Sequence, residues 1–161
     1  MDSNAMEMRS LYAGNVPAEI AQLLEEAMHA YHDSERAEGL LTKAHQLAPS
    51  ALPVYFSMYK FLFYKGKLAE AENIVRSALA EAADQGNFPA SWEALTSDST
   101  DWLAHDSPQH FYLFSLKALA FIRLRRGDKE ECGQILAKLS LLDRTDTVGA
   151  SVIGALAAGV A

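Results

Sequence analysis

Glu26-x-x-His29 has the spacing of one half of a carboxylate-bridged metal site, in which two helices each contribute that motif. A complete site needs the pattern twice, and this chain holds one copy. His32 follows His29 by three residues, but two histidines on one exposed helical face fall short of a ligand set. His105 and His110 flank Pro108, with Asp101 and Asp106 close by. Histidine titrates near neutrality, so an acid–base pair is conceivable there. No serine sits in a Gly-x-Ser-x-Gly turn, however, and no glycine-rich phosphate loop occurs. The expectation is a protein that is not an enzyme, with no catalytic residue, no metal and no cofactor. Cys132, the sole cysteine, is expected to act as a small buried hydrophobe rather than a reactive thiol. Arg123, Arg125 and Arg126, with Lys129 beyond Gly127, form the one basic cluster. Cations there suit the negative end of a helix dipole; a phosphate- or carboxylate-binding role is the alternative.

The wider composition narrows the classes further. The chain has 161 residues, half of them apolar, and a net charge of −7. That size fits one domain or a short repeat array with a real core. The negative charge argues against nucleic-acid binding, which needs phosphate-neutralising basic surface, and against anionic membranes. A single cysteine excludes an internal disulfide framework and a cysteine zinc site. With no apolar leader at the acidic, polar N-terminus, a cytoplasmic location is expected. Ser3-Asn4-Ala5 before Met6 reads as a tag remnant, and residues 1–10 as disordered.

The rest of the chain reads as helices, organised around Leu52 to Ala82. There Tyr55, Met58, Tyr59 and Leu62 share one helical face. Lys65-Gly66-Lys67 forms the turn, with glycine free to take the left-handed conformation. Leu68, Ala71, Ile74, Val75, Ala78 and Ala82 then make the stripe of a second helix. Leu11-Tyr12 staples onto an earlier pair that begins near Pro17. Its stripes are Ile20, Leu23, Leu24, Ala27, Met28 and Tyr31, then Ala37, Leu40, Leu41, Ala44 and Leu47. Asp33 or Ser34 caps the second of these helices, and Pro49 ends it.

The two pairs are in register. Leu24 aligns with Met58, Ala37 with Ala71, Leu41 with Val75 and Ala44 with Ala78, each about 34 residues apart, the period of the tetratricopeptide repeat. On these residues the chain resembles the tetratricopeptide family, which favours small residues at the helix crossings and proline at the repeat's end, as at Pro49. Glu25, Tyr59 and Ala83 depart from that pattern. A third set, Leu116, Leu119, Ala120, Gly127, Cys132, Leu136 and Leu139, fits when counted from Leu113. The resemblance implies an all-α, TPR-like α-solenoid of three helix pairs at about 18–51, 52–85 and 113–146, forming a single domain over 11–161. Residues 86–112 become an insertion: a short helix at Ser91 to Thr96 within an ordered, functional loop. A C-terminal capping helix covers 147–161, started by Asp146 or Thr147, with Val148, Val152, Ile153, Leu156 and Val160 apolar.

In that family the first helix of each pair lines a concave groove. Carried over, the groove positions are Glu19, Gln22, Glu26, His29 and Ala30, then Pro53, Phe56, Lys60, Phe63 and Tyr64, then Phe114, Lys117, Phe121, Leu124 and Arg125. The phenylalanines exceed what the inner stripe needs, so some should face the groove. The resemblance implies protein binding by an adaptor or small chaperone that holds an apolar peptide or helix. The residues expected to touch it are Phe56, Lys60, Phe63, Tyr64, Lys117, Phe121 and Arg125. Gln22 and Glu26 stand where the family's clamp for chaperone C-terminal carboxylates has lysine and asparagine, which disfavours that ligand.

Two narrower contexts follow. The phrases LLTKAHQLAP, YKFLFYKGKLAEAE and FYLFSLKALAFIRLRRGD are similar to repeat proteins encoded in bacterial nitrogen-fixation clusters, which implies an accessory role. Small three-repeat chaperones of type III secretion are similar in length but lack such an insertion. The competing expectation is a self-capped structural subunit. It would bury Trp92 and Trp102 in its own groove and form a homodimer through Val152, Ile153 and Leu156.

Overall fold

A computed structural model describes residues 16–159, and those residues form seven α-helices with no strand among them. The described residues are all-α, in keeping with the helical periodicity of the sequence. The helices are α1 (Ala18–His29), α2 (Ser34–Leu47), α3 (Leu52–Tyr64), α4 (Leu68–Gly86), α5 (Pro108–Arg125), α6 (Lys129–Leu142) and α7 (Ala150–Ala157). One 3-10 turn, Trp92–Ala94, interrupts the segment between α4 and α5. The expected staple at Leu11-Tyr12, the tag remnant, the disordered 1–10 and Val160 lie outside the described residues.

Short connections make helix hairpins of α1–α2, α3–α4 and α5–α6, and each pair packs internally. The second hairpin repeats the first at the expected distance: its helices begin at residues 52 and 68, against 18 and 34. Ala37, Ala44, Ala71 and Ala78 are wholly buried at the helix crossings. A methyl group there lets two backbones approach where a longer side chain would hold them apart. Local signals set the ends. Asp33 accepts from Arg36 N at 3.2 Å and Asp128 from Glu131 N at 2.9 Å, so α2 and α6 carry the same side-chain cap. Gly66 (φ +77°) and Gly127 (φ +92°) close α3 and α5. In both turns the following N–H returns to a carbonyl five residues earlier, Lys67 to Leu62 and Asp128 to Arg123, each at 2.9 Å.

The expected organising element, residues 52–82, gives way to α5, which touches α3, α4, α6 and α7. Phe111, Tyr112, Leu113, Leu116 and Leu119 are buried to the last percent. A helix apolar on nearly every side belongs in the interior. It also starts earlier than expected. Pro108 sits in its first turn behind the Ser107 cap, which accepts from His110 N at 3.2 Å, so residues 108–112 are helix rather than insertion. The final helix is shorter than expected, Ala150–Ala157, with Gly149 (φ +74°) before it. Asp146 supports its first turn from outside, accepting from Ser151 N at 3.3 Å and Ser151 Oγ at 2.6 Å. Asp143 ties the loop to α6, accepting from Thr147 N and Val148 N at 3.0 Å each.

The segment 87–107 is anchored through its aromatic residues. Phe88 and Trp102 stack edge-on at 5.1 Å, and Phe88 meets Tyr112 at 5.0 Å. Tyr112 Oη donates to Ala90 O at 2.7 Å, and Trp102 Nε1 donates to Thr96 O at 2.9 Å. Lys138 on α6 donates to Leu95 O at 2.6 Å. These contacts fix the loop to α5 and α6. No helix among the described residues is long and apolar enough to cross a membrane.

Candidate functional site

Phenylalanines seven residues apart on α3 and α5 fall two turns apart on one face of each helix. Packing α3 beside α5 aligns them as rungs. Phe56 meets Phe114 at 5.7 Å with rings inclined by 71°, and Phe63 meets Phe121 at 5.2 Å with rings inclined by 41°. Such offset and edge-on pairs contribute beyond their burial, roughly 0.5–1.5 kcal/mol each. Between the rungs, Tyr59 and Ser115 share a buried hydrogen bond of 3.0 Å. Burial pushes the Tyr59 phenol above its ordinary value, against the pull of Ser115, so it stays a neutral hydroxyl.

Above the rungs lies a groove of about 480 Å³. Its α3 wall presents Phe56, Tyr59, Lys60, Phe63 and Tyr64; α5 contributes Phe114, Lys117, Ala118, Phe121 and Ile122; residues 146–149 and α7 supply the far wall through Val148, Val152 and Ile153. Six of the seven residues expected to contact a partner thus line one groove. The seventh, Arg125, lies at its edge with its guanidinium 5.5 Å from the Phe63 ring and 6.0 Å from Phe121. Lys117 Nζ is 4.5 Å from the Phe114 ring, and Lys60 Nζ is 5.8 and 5.9 Å from Phe56 and Tyr64. These cations lie over π faces, where the ring quadrupole attracts them.

Several expectations need correction. Phe56 is only 8% exposed, so it forms the back of the groove rather than an open contact; Phe63 and Phe121 are half-buried and Tyr64 is exposed. The expected groove positions on α1, from Glu19 to Ala30, do not line it. Trp92 and Trp102 are buried, yet neither lines the groove, and no residue of 87–107 does. The C-terminal helix bounds it instead. Ile153, expected at a dimer surface, is buried, whereas Val152 is 62% exposed.

The basic cluster also resolves differently. Glu72 accepts from Arg76 Nε at 2.9 Å, Arg123 Nη1 at 3.0 Å and Arg126 Nη1 at 2.8 Å. Arg123 further meets Asp128 and Glu131, each at 2.7 Å. Arg123 and Arg126 are therefore engaged in an ion network joining α4, α5 and α6, which displaces the phosphate-binding alternative for them. The spacing of four between Glu72 and Arg76 was a readable signal for it. Burial pushes the Glu72 carboxyl up, but the three arginines outweigh that and hold it below the ordinary value.

The remaining chemical candidates do not converge. Cys132 is wholly buried, and burial pushes its thiol up, away from the reactive thiolate. His29 approaches Glu25 at 3.8 Å, while Glu26 accepts from Gln22 at 3.3 Å, so the Glu26–His29 pair is not assembled. The rings of His105 and His110 are 6.2 Å apart. No cluster of three or more metal-ligating side chains exists among the described residues.

No protein-family model matches the chain. No solved structure matches it either. Over 119 residues the chain is 29% identical to an uncharacterized 19.8 kDa protein in the nifW 5′ region of Azotobacter chroococcum mcd 1, spanning 73% of this chain and 67% of that protein.

Proposed function

We propose that this protein is a non-enzymatic interaction module that holds an apolar peptide or helix of another protein in the groove formed by α3, α5 and α7. The observation that carries the reading is the double rung of Phe56–Phe114 and Phe63–Phe121 beneath an open trough edged by Lys60, Tyr64, Lys117 and Arg125. Covering a phenylalanine ring is worth about 1.5–3 kcal/mol at full burial, so the half-buried Phe63 and Phe121 retain a driving force for association. In this reading the hairpins form a TPR-like α-solenoid. Support comes from the 34-residue repetition of helix starts, the buried alanines at the crossings and the shared glycine turns. The molecule then works as an adaptor or small chaperone in the cytoplasm of a bacterium. The similarity to the protein of the nifW 5′ region favours an accessory role in a nitrogen-fixation system.

Capture from the source cells tests this reading, with wild type, Phe63→Ser/Phe121→Ser and the distant surface variant Leu103→Ser compared side by side. A protein retained by wild type and Leu103→Ser but lost from the double variant supports the groove. Equal recovery by all three removes it.

The exposed Val152 on an uncharged terminal helix favours a second reading, a dimerising structural subunit. Light scattering decides it: a wild-type dimer that becomes a monomer with Val152→Glu supports dimerisation, and a wild-type monomer ends it.

A further inference from the structure

The walls of the groove are unequal. Eight of the thirteen residues of α3 and eight of the eighteen in α5 are buried, whereas α7, the far wall, buries Ala150 and Ile153 out of eight. Eight residues cannot hold a helix by themselves, since isolated helices shorter than about 12–15 residues are marginal in water. Gly154 weakens α7 further, because glycine loses more backbone freedom than alanine on becoming helical. The helix therefore depends on its seat against α5 and α6, where Val148, Ala150 and Ile153 are buried, and on the segment that leads into it.

That segment is built as a fastening. The Asp143 carboxylate, on a residue 7% exposed, accepts from Thr147 N at 3.0 Å, Thr147 Oγ1 at 2.7 Å and Val148 N at 3.0 Å. These bonds join the end of α6 to the residues just before α7. Arg144 and Thr145, which bridge the two sides, are exposed. Beyond them Asp146 binds the next turn to α7: its carbonyl accepts from Gly149 N at 3.1 Å, and its carboxylate accepts from Ser151 N and Oγ. If Asp143 lets go, residues 146–149 and α7 leave together.

Size gives such a release a purpose. A helix about 10 Å across fills roughly 420 Å³ per turn, so a groove of about 480 Å³ encloses a single turn of a guest. A longer guest is enclosed only if a wall moves. We propose that residues 146–157 are a lid, latched by Asp143 and hinged at Arg144 and Thr145, which opens the α3–α5 face to a partner segment longer than one turn. The proposal rests on the groove reading above and adds to it how the groove is entered. Once unlatched, α7 loses the packing that keeps it helical, so opening exposes its amides.

The test is amide hydrogen exchange on the full chain, read residue by residue by NMR, with the emission of Nile red, a neutral apolar dye, as the probe of the groove. A latched lid opens as a unit, so Thr147, Val148 and the amides from Val152 to Ala157 should share one protection factor well below that of α5. Asp143→Ala touches none of the α7 amides directly, yet should speed exchange from Val152 to Ala157 by at least about tenfold while α5 stays protected. Gly154→Ala, whose methyl finds open space, should slow the same amides about fivefold. Nile red emission should rise with Asp143→Ala, fall with Gly154→Ala, and lose its response to both when Phe63→Ser/Phe121→Ser is added. Three results overturn the lid: α7 amides as slow as those of α5; protection that grades smoothly from Ala157 back to Val152, which is the fraying of a helix end; and dye emission that ignores the latch or responds to it without the phenylalanines. Each of these strikes the lid while the capture experiment still decides the groove reading. Capture that is independent of Phe63 and Phe121 strikes both.

Discussion

Replacing Glu72 by alanine should loosen the joint between α4, α5 and α6 by an amount that can be worked out from its contacts. The carboxylate is 10% exposed and accepts three charge-assisted hydrogen bonds, at 2.9, 3.0 and 2.8 Å. Stripping one partner from a buried ion pair costs about 3–5 kcal/mol because a bare charge is left behind. Here the arginines are less stranded. Arg76 and Arg126 are 43% and 36% exposed and regain water, and Arg123 keeps Asp128 and Glu131. The cost therefore falls to about 2 kcal/mol, near that of one hydrogen bond to a charged group. In a chain of this length that lowers Tm by about 4–8 °C. The sign with pH is also fixed. Glu72 is held below its ordinary value of 4.5, and Asp128 below 3.8 by the Glu131 N–H and then Arg123. The stability from both is complete above those ordinary values and is lost as pH falls through the lowered ones. Urea unfolding followed by Trp92 and Trp102 fluorescence, from pH 7 down to pH 3, measures both effects. The variant should be less stable at pH 7 and show a shallower decline with acid than wild type. A Glu72→Ala protein within about 0.5 kcal/mol of wild type at pH 7, with the same acid profile, would refute the reasoning.

Other outcomes follow from the same contacts. Tyr59→Phe removes the hydroxyl shared with Ser115 and should cost about 1 kcal/mol in urea unfolding, more if Ser115 is left unsatisfied. Trp102→Ala should cost about 3–5 kcal/mol, because the indole packs against Phe88 and Tyr112 and its N–H holds Thr96 O; limited proteolysis should then cut within 87–107 first. Gly66→Ala has open space for its methyl but a positive φ, so roughly 1 kcal/mol of destabilisation by thermal melting should come from backbone strain alone. Cys132 should resist thiol reagents in the folded protein and react fully in denaturant, as measured by the absorbance of the released chromophore.

The repeated hairpin was legible because alanine and glycine mark geometry directly. Ala37 and Ala71, or Ala44 and Ala78, fall at equivalent crossings, and all four are completely buried. Six residues carried over from the resembled family's groove positions line the trough, and Phe56 and Phe63, seven apart, share one face of α3. What periodicity could not convey is which neighbour covers a face. Phe56 and Phe63 have the same helical phase, yet one is covered and the other half-open, which depends on how α3 sits against α5. The destination of Trp92 and Trp102 was hidden because a loop without periodicity carries no facing information. The Glu72 network was legible only at Arg76, four residues on; Arg123 and Arg126 lie 51 and 54 residues away, beyond the reach of helical spacing. The arginines alone looked like a surface cluster.

The segment from 87 to 107 binds the outside of the third hairpin and leaves the trough untouched. Recognition and bracing therefore occupy separate territory on one small molecule. A dye or epitope inserted beside Leu103, which is 72% exposed, would report on the hairpin's mounting without obstructing a docked guest. Drift in either territory leaves the other free to stay as it is.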